Sequence, residues 1–515
     1  MISDIFIIFL HILIQVIFIR RIKVFLLHGI LLTISALVMR TIGMFFNIYI
    51  SNKIGTEAIG IYQLIMSVYM FAITIANSGI HLATTRIVSE QEAFGMEAGI
   101  KRAMRKCVKY SLFMGFLACV LLFIFSSSIA NYYLHSKISP IPLRILAISL
   151  PFLSLSSCMN GYFAALRKVK KTISAQVLEQ FLKITLISFL LNYFLPSGLE
   201  YACISLVLGS TISEFISCLF LGFLFIMDKR KLSSNSYKDT NYTKQILKIA
   251  LPISFTSYIR SGLSTIKQWL IPIGLEKSGL SCENAISSYG IINGMVMPLI
   301  MFPCTFISSF SSLLIPEFSY LNAKREIEKI NFSLNKILKF CFIFSFLIMG
   351  IFWCFSEEIN KMVYPNVDVS LYIKLLCPLI VLMYIDNIVD SILKGLDKQV
   401  SVMGINIIDL ISSISLIYFL LPFQGIKGYI IVLFTSEIIN GILSLILLIK
   451  NTNLKIDFSN WILKPLLSIF FISFIIKTSY SYNIFELIMH IFIFCISYFV
   501  ILFLMKGLIK KDFKV

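Results

Sequence analysis

Several ionisable side chains fall inside stretches apolar enough to be membrane helices, among them Arg40, Lys183, Arg260 and Lys267, and Glu179, Glu214, Asp386, Asp390, Asp409, Glu437 and Glu486. Such a group at a bilayer centre costs about 2.5 kcal/mol or more, so its default reading is functional. Arg40 and Arg260 each stand in the first apolar segment of one half of the chain. If those segments line a common cleft, two guanidinium groups face each other across it. That pairing suits a pyrophosphate, because arginine stays charged and binds phosphate oxygens through two parallel hydrogen bonds. Lys267 is on the same helical face as Arg260, with no carboxylate close by in sequence. Glu179, Glu214, Asp409 and Glu437 are candidate sites for a coupling cation, H+ or Na+. Glu179 and Lys183 are spaced for a local salt bridge as well. Asp386 and Asp390 are expected on a solvated face, with cation coordination as the alternative.

The elements that must hold these residues follow from composition. The 515 residues are 58% hydrophobic and only 14% charged, against about 25% charged for a soluble domain. Such a chain cannot cover itself with a water-compatible surface, and its hydrophobicity excludes intrinsic disorder. Apolar runs of roughly 20 residues read as transmembrane helices. They lie near 29–50, 58–80, 108–130, 140–163, 172–195, 199–227, 245–273, 286–315, 335–355, 370–393, 402–421, 425–449, 461–478 and 483–505, fourteen segments in all. Of the 45 Lys and Arg, 33 fall in one alternate set of loops and six in the other. Cytoplasmic loops carry the excess, so both ends of the fourteen-segment body are expected in the cytoplasm. The net charge of +19 thereby becomes a topological signal and an attraction to anionic lipids; no nucleic acid is needed to explain it. The stretch 90–109 reads as an amphipathic interfacial helix. Pro252, Pro272, Pro298 and Pro303 are expected to kink the seventh and eighth segments.

Two halves repeat in order. Tyr62 aligns with Tyr289, Glu90 with Glu317, Lys168 with Lys398, Glu179 with Asp409, and Ser213-Glu214 with Ser436-Glu437. The expected organisation is an N-lobe over 24–244, a C-lobe over 245–450, and two further spans with a basic tail over 451–515. Residues 1–23 carry an apolar run whose charges follow its core. It is either an additional span or a translated upstream stretch, and its polarity is wrong for a signal peptide.

The segments Gly60–Gly79 (GIYQLIMSVYMFAITIANSG), Leu178–Lys183 (LEQFLK), Ala250–Thr256 (ALPISFT), Tyr289–Pro303 (YGIINGMVMPLIMFP) and Leu313–Pro316 (LLIP) resemble the stage V sporulation protein B group. That group belongs to the polysaccharide-biosynthesis flippases of the multidrug/oligosaccharidyl-lipid/polysaccharide superfamily, with the lipid II flippases. The resemblance covers residues 29 to 510. It implies an all-α, two-lobed, fourteen-helix transporter of the bacterial cytoplasmic membrane. The implied cargo is an undecaprenyl-pyrophosphate-linked sugar or peptidoglycan precursor, and the partners are that lipid and the surrounding membrane. Arg40 falls at the family's first-span arginine, and Asn47 takes the place of a second one. Lys267 stands where relatives tend to carry an acid, and Ile273-Gly274 where they often carry arginines.

Two other readings are available. A cation-coupled drug exporter would share the fold, but two cationic residues in a cleft disfavour cationic drugs. A membrane glycosyl polymerase or ligase needs acid/base groups at a membrane face and usually a large external loop; the longest here, near 356–369, is short. The eleven cysteines contain no Cys-x-x-Cys pair and the five histidines are scattered, so neither a metal site nor a cofactor is expected. No catalytic residue is assigned.

Overall fold

The computed structural model describes residues 23–132, 139–230, 241–452, 454, 457–475 and 484–507. The apolar run within 1–23 lies outside the described residues. Among the described residues the chain is helical, without a strand. Eight helices among the described residues are long and apolar enough to cross a membrane, or ten if each of two bent pairs counts as one span.

Side-chain polarity shows what solvent these helices are built for. Glu97–Tyr132 buries Ser111, Gly115, Ala118, Leu122, Ser126 and Ala130 along one stripe. Its opposite face exposes Phe113, Phe116, Val120 and Ile124, the last at 65%. Small and polar residues face protein while large apolar ones face outward, the arrangement of helices packed in lipid. The stripe permits close approach to Ile141–Ala165. A Cβ on Gly115 would lie 2.7 Å from Pro151 Cα, and Ser111 Oγ and Ser154 Oγ share a hydrogen bond of 3.0 Å.

Several helices run on where the sequence suggested separate spans. Lys23–Asn77 joins the first two segments, broken only at Gly55 (φ 80°). Gln399–Asn451 joins the eleventh and twelfth, broken at Gly425 (φ 56°). Both breaks sit in the left-handed region open to glycine. Pro252 and Pro272 lie within the continuous helix Tyr242–Lys277. The eighth segment, by contrast, passes through a π-helical turn at Gly290–Val296 and restarts after Pro303. The interfacial helix expected over 90–109 does not form. Ile80–Ala93 ends in a turn at Phe94–Met96, and Glu97 begins the long helix that carries the third segment. Once hydrogen-bonded, that helix costs less to extend than to start anew, so its charged first turns continue straight into the apolar run.

Two pairs of turns, one pair near Gly95 and Arg325 and the other near Arg167 and Asp397, close with the same hydrogen bonds. The N–H groups of Phe94, Gly95 and Met96 donate to the carbonyls of Glu90, Glu92 and Gln91; those of Lys324, Arg325 and Glu326 donate to Tyr320, Asn322 and Leu321 in the same pattern. Likewise Leu166, Arg167 and Lys168 donate to Tyr162, Ala164 and Phe163, and Leu396, Asp397 and Lys398 to Ile392, Lys394 and Leu393. Gly95, Arg325, Arg167 and Asp397 all have positive φ, between 56° and 66°. These are helix C-terminal turns of the left-handed kind that favours glycine. Gly95→Ala should therefore cost about 1 kcal/mol of stability, whereas Arg325→Gly should be neutral to slightly stabilising. Melting in detergent checks both.

The chain forms two compact units. One comprises Met1–Met44, Met295–Ser413 and Ile430–Val515; the other comprises Phe45–Gly294 and Ile414–Tyr429.

Candidate substrate and ion sites

In the unit containing Met295–Ser413, a cavity of about 330 Å³ is lined by Arg40, Met44, Pro298, Met301, Phe302, Cys304, Thr305, Ser308 and Asn387. Arg40 is exposed to it and makes no hydrogen bond or ion pair among the described residues. The hydroxyl of Thr305 is buried without a hydrogen-bond partner. Ser308 Oγ spends its proton on the Cys304 carbonyl at 2.9 Å. One unneutralised guanidinium, an unused hydroxyl and an amide, walled by methionine, proline and phenylalanine, suit an anionic head attached to an apolar tail.

The other unit holds Arg260, Lys267 and Asn47. Tyr242–Lys277 packs through a polar stripe. Tyr258 Oη donates to Ser78 Oγ at 2.7 Å, Thr74 Oγ1 to Ser261 Oγ at 3.2 Å, Thr265 Oγ1 to the Ser67 carbonyl at 3.0 Å, and Tyr289 Oη to Gln268 Oε1 at 3.0 Å. Arg260 lies off that stripe. It is exposed and has no hydrogen bond or ion pair among the described residues. Lys267 is half-buried. Asn47 is engaged in packing: its Nδ2 donates to the Gly294 carbonyl at 3.1 Å, at the π-turn. A π-turn releases carbonyls from the ordinary ladder. In the first unit, Tyr364 Oη likewise donates to Met295 O at 3.1 Å.

Glu179 and Glu214 come together in this second unit. Tyr69 Oη donates to Glu214 Oε2 at 2.9 Å and also pairs with Ser149. Glu179 lies beside Ser217 and Lys183, and Lys183 is within electrostatic reach of Glu214 too. The direct Glu179–Lys183 salt bridge that their spacing suggested does not form; the lysine serves both carboxylates at longer range. In the first unit, Ser436 Oγ donates to Asp409 Oδ1 at 2.6 Å, and Ser413 Oγ lies 2.9 Å from Ser436 Oγ. Asp386 is not on a solvated face: Asn440 Nδ2 donates to its Oδ2 at 2.9 Å, and its Oδ1 is buried. Sequence reading missed Asn387, Tyr69, Asn440 and Ser444, neutral residues that only their surroundings make notable.

One charge cluster is structural. Asp228, 5% exposed, receives Lys168 Nζ at 2.6 Å, Lys171 Nζ at 2.8 Å and Tyr162 Oη at 3.0 Å. The lysines are partly exposed, which moderates the pair, but removing the carboxylate leaves a buried phenol unpaired. Asp228→Ala should cost about 1–3 kcal/mol of stability, and Tyr162→Phe less; detergent melting curves compare them.

Among the described residues, no group of three or more His, Cys, Asp or Glu could hold a metal ion.

A family model described as "Polysaccharide biosynthesis protein" matches residues 26–322, and a MatE model matches 252–419. The chain is 25% identical over 421 residues to stage V sporulation protein B of Bacillus subtilis (strain 168), covering 80% of this chain and 81% of that one. It is 23% identical over 409 residues to the lipid II flippase MurJ of the same organism, covering 72% of each. Among solved structures, the lipid II flippase MurJ in an inward closed conformation superposes with a TM-score of 0.69 at 16% identity, over 92% of this chain and 98% of that one. An inward-facing multidrug resistance MATE transporter of the MOP superfamily superposes with a TM-score of 0.62 at 14% identity, over 87% and 100%. The fold is therefore that of the MOP transporters, as the sequence resemblance implied.

Proposed function

We propose, from the premise that this chain belongs to the polysaccharide biosynthesis protein family, that it is a flippase for a polyprenyl-pyrophosphate-linked sugar. It is a multi-pass membrane protein and a transporter, not an enzyme. The observation that carries the reading is Arg40, an unneutralised guanidinium in a cavity whose wall combines methionine, proline and phenylalanine with Thr305, Ser308 and Asn387. Arg260, which makes no hydrogen bond or ion pair among the described residues, and Lys267 remain the proposed phosphate-binding groups of the other unit. Asn47 uses one N–H of its amide on the Gly294 carbonyl and would offer the other to the anionic head. The relatives named for sporulation and for lipid II support a peptidoglycan precursor as cargo and a role in spore or envelope synthesis. Glu179, Glu214, Asp409 and Glu437 remain the proposed groups through which H+ or Na+ drives the cycle. The drug-exporter reading fits less well, because a cationic drug would meet Arg40 unscreened.

Binding tests the reading. The purified protein should be stabilised by undecaprenyl pyrophosphate more than by undecaprenol, and not by organic cations such as ethidium. Stabilisation by ethidium alone would favour the exporter.

The proposed lobes are 24–244 and 245–450, with 451–515 as a C-terminal pair of spans, and the membrane is the bacterial cytoplasmic membrane with the C-terminus inside. In a cysteine-free background, Lys361→Cys should react with an external thiol reagent in intact cells and Arg102→Cys should not. Labelling of position 102 would reverse the orientation.

A further inference from the structure

Arg144 carries a charge that no carboxylate neutralises. It lies one turn into the apolar helix Ile141–Ala165, near the level at which a spanning helix leaves the hydrocarbon core. On the neighbouring helix Glu97–Tyr132, Arg144 Nε donates to Ser126 Oγ and Nη2 to Ser127 Oγ, each at 3.1 Å. Ser126 Oγ spends its own proton on the Phe123 carbonyl at 2.7 Å. The guanidinium lies over the Phe123 ring, 5.3 Å from its centre, within cation–π range. These contacts fix the plane of the side chain and leave Nη1 and one N–H of Nη2 unspent. Arg144 makes no ion pair among the described residues, and the chain has no Asp or Glu between Glu97 and Glu179. Its flanks are apolar and outward-facing: Ile141 and Ile148, on the same helical face, are exposed, as are Phe123 and Ile124. The offset that aligns Lys168 with Lys398 also aligns Arg144 with Lys374, Phe123 with Trp353 and Ile141 with Leu371. Lys374 Nζ lies over the Trp353 ring, 5.4 Å from its centre, and Leu371 is exposed. A cation laid on an outward-facing ring thus occurs at both positions. The second has Glu357 where the first has Ser127, so the uncompensated charge is that of Arg144.

We propose that Arg144, held in place by Ser126, Ser127 and Phe123, binds the phosphate of an anionic phospholipid. An unneutralised guanidinium at the border of hydrocarbon is costly, and a lipid phosphate cancels the charge from the side that the protein leaves open. The planar fork of arginine matches phosphate oxygens, and its orientation is already set by the two serines. A lipid of net negative charge is favoured over a zwitterionic one, whose ammonium would stand close to the guanidinium and oppose it. Exposed Ile141 and Ile148 give the acyl chains an apolar surface beside the charge, which commits the site to a lipid and not to free phosphate. It uses none of the residues proposed for the cargo or the coupling ion, and it does not depend on which lipid-linked sugar is moved.

The test is native mass spectrometry of the full-length protein, delipidated in detergent and titrated with dioleoyl phosphatidylglycerol. The expected result is a saturable lipid adduct that dioleoyl phosphatidylcholine does not form at the same concentration and that excess inorganic phosphate does not displace. Arg144→Gln should weaken that adduct at least tenfold. Ser127→Ala, which frees the guanidinium from one of its two serines, should weaken it several-fold with melting unchanged, and it carries the test even if Arg144→Gln is poorly made. Arg105→Gln, an exposed basic position on Glu97–Tyr132, should leave the adduct as it is. An adduct equally strong in Arg144→Gln or in Ser127→Ala overturns the proposal. So does equal binding of phosphatidylcholine, or displacement by inorganic phosphate. Displacement by an equal concentration of undecaprenyl pyrophosphate overturns it as well, because Arg144 would then belong to the cargo's path.

Discussion

Replacing Arg260 with alanine should leave the protein abundant in the membrane and weaken its hold on a lipid-linked diphosphate roughly tenfold to a hundredfold. A charge-assisted contact is worth about 1.5–3 kcal/mol, and each 1.4 kcal/mol is about a factor of ten in affinity. Stability should change little, because the packing stripe of that helix runs through Tyr258, Ser261, Thr265 and Gln268, and Arg260 makes no hydrogen bond or ion pair among the described residues. Arg260→Lys should recover part of the binding, since lysine keeps the charge and loses the planar fork. Binding of undecaprenyl pyrophosphate, measured beside membrane abundance, separates the outcomes. Loss of the protein itself would make the arginine structural.

Gly60 should be the most sensitive position to a single added methyl group. A Cβ there would lie 2.3 Å from the Ile286 carbonyl oxygen, and one on Gly290 would lie 2.3 Å from that of Thr56. Two backbones touch with no side chain able to yield, and Ser287 Oγ donates to Thr56 Oγ1 at 2.7 Å beside them. Gly60→Ala should destabilise by about 3 kcal/mol, the upper end of ordinary overpacking, and Gly60→Val should leave little folded protein. Gly404 is the matched control. It has open space around its Cβ direction, so Gly404→Ala should be neutral or gain up to about 1 kcal/mol from helix propensity. Fluorescence-detected size-exclusion profiles of the three variants make the comparison. A Gly60→Ala protein as stable as Gly404→Ala would contradict the packing.

The parts of the fold that sequence made legible were those set by solvent. A stripe such as Ser111, Gly115, Ala118 and Leu122 opposite Phe113, Phe116 and Val120 has meaning only in lipid, so helix positions followed from it. The Lys168–Lys398 pairing suggested a repeat, and the turns at Arg167 and Asp397 beside those lysines close with the same hydrogen bonds. Continuity was less legible. The stretch 90–109 suggested a helix lying on the membrane, whereas the backbone carries residues from Glu97 onward straight into the third segment. Helix breaks did not all fall at proline: Pro252 and Pro272 lie within one continuous helix and the glycines at 55 and 425 break theirs, while the eighth segment bends by 61° at Pro303. Arg40 and Arg260 could be singled out because a charge in an apolar run is conspicuous on its own. Asp386 was misplaced because its surroundings are made by Asn440 and Ser444, far along the chain and unremarkable by type. A polar residue's role in a membrane protein depends on which helix it faces, and spacing within one helix does not contain that information.

The central claim is tested most directly by translocation itself. The purified protein is reconstituted into liposomes with a fluorescent undecaprenyl-pyrophosphate-linked sugar in both leaflets, and the outer-leaflet pool is quenched by a membrane-impermeant reductant. Protein-containing vesicles should lose nearly all their fluorescence, and vesicles with Arg40→Ala about half, as protein-free vesicles do. Fluorescence that stops at one half with the unaltered protein, under an imposed Na+ or proton gradient, would contradict the assignment as a flippase for lipid-linked sugars.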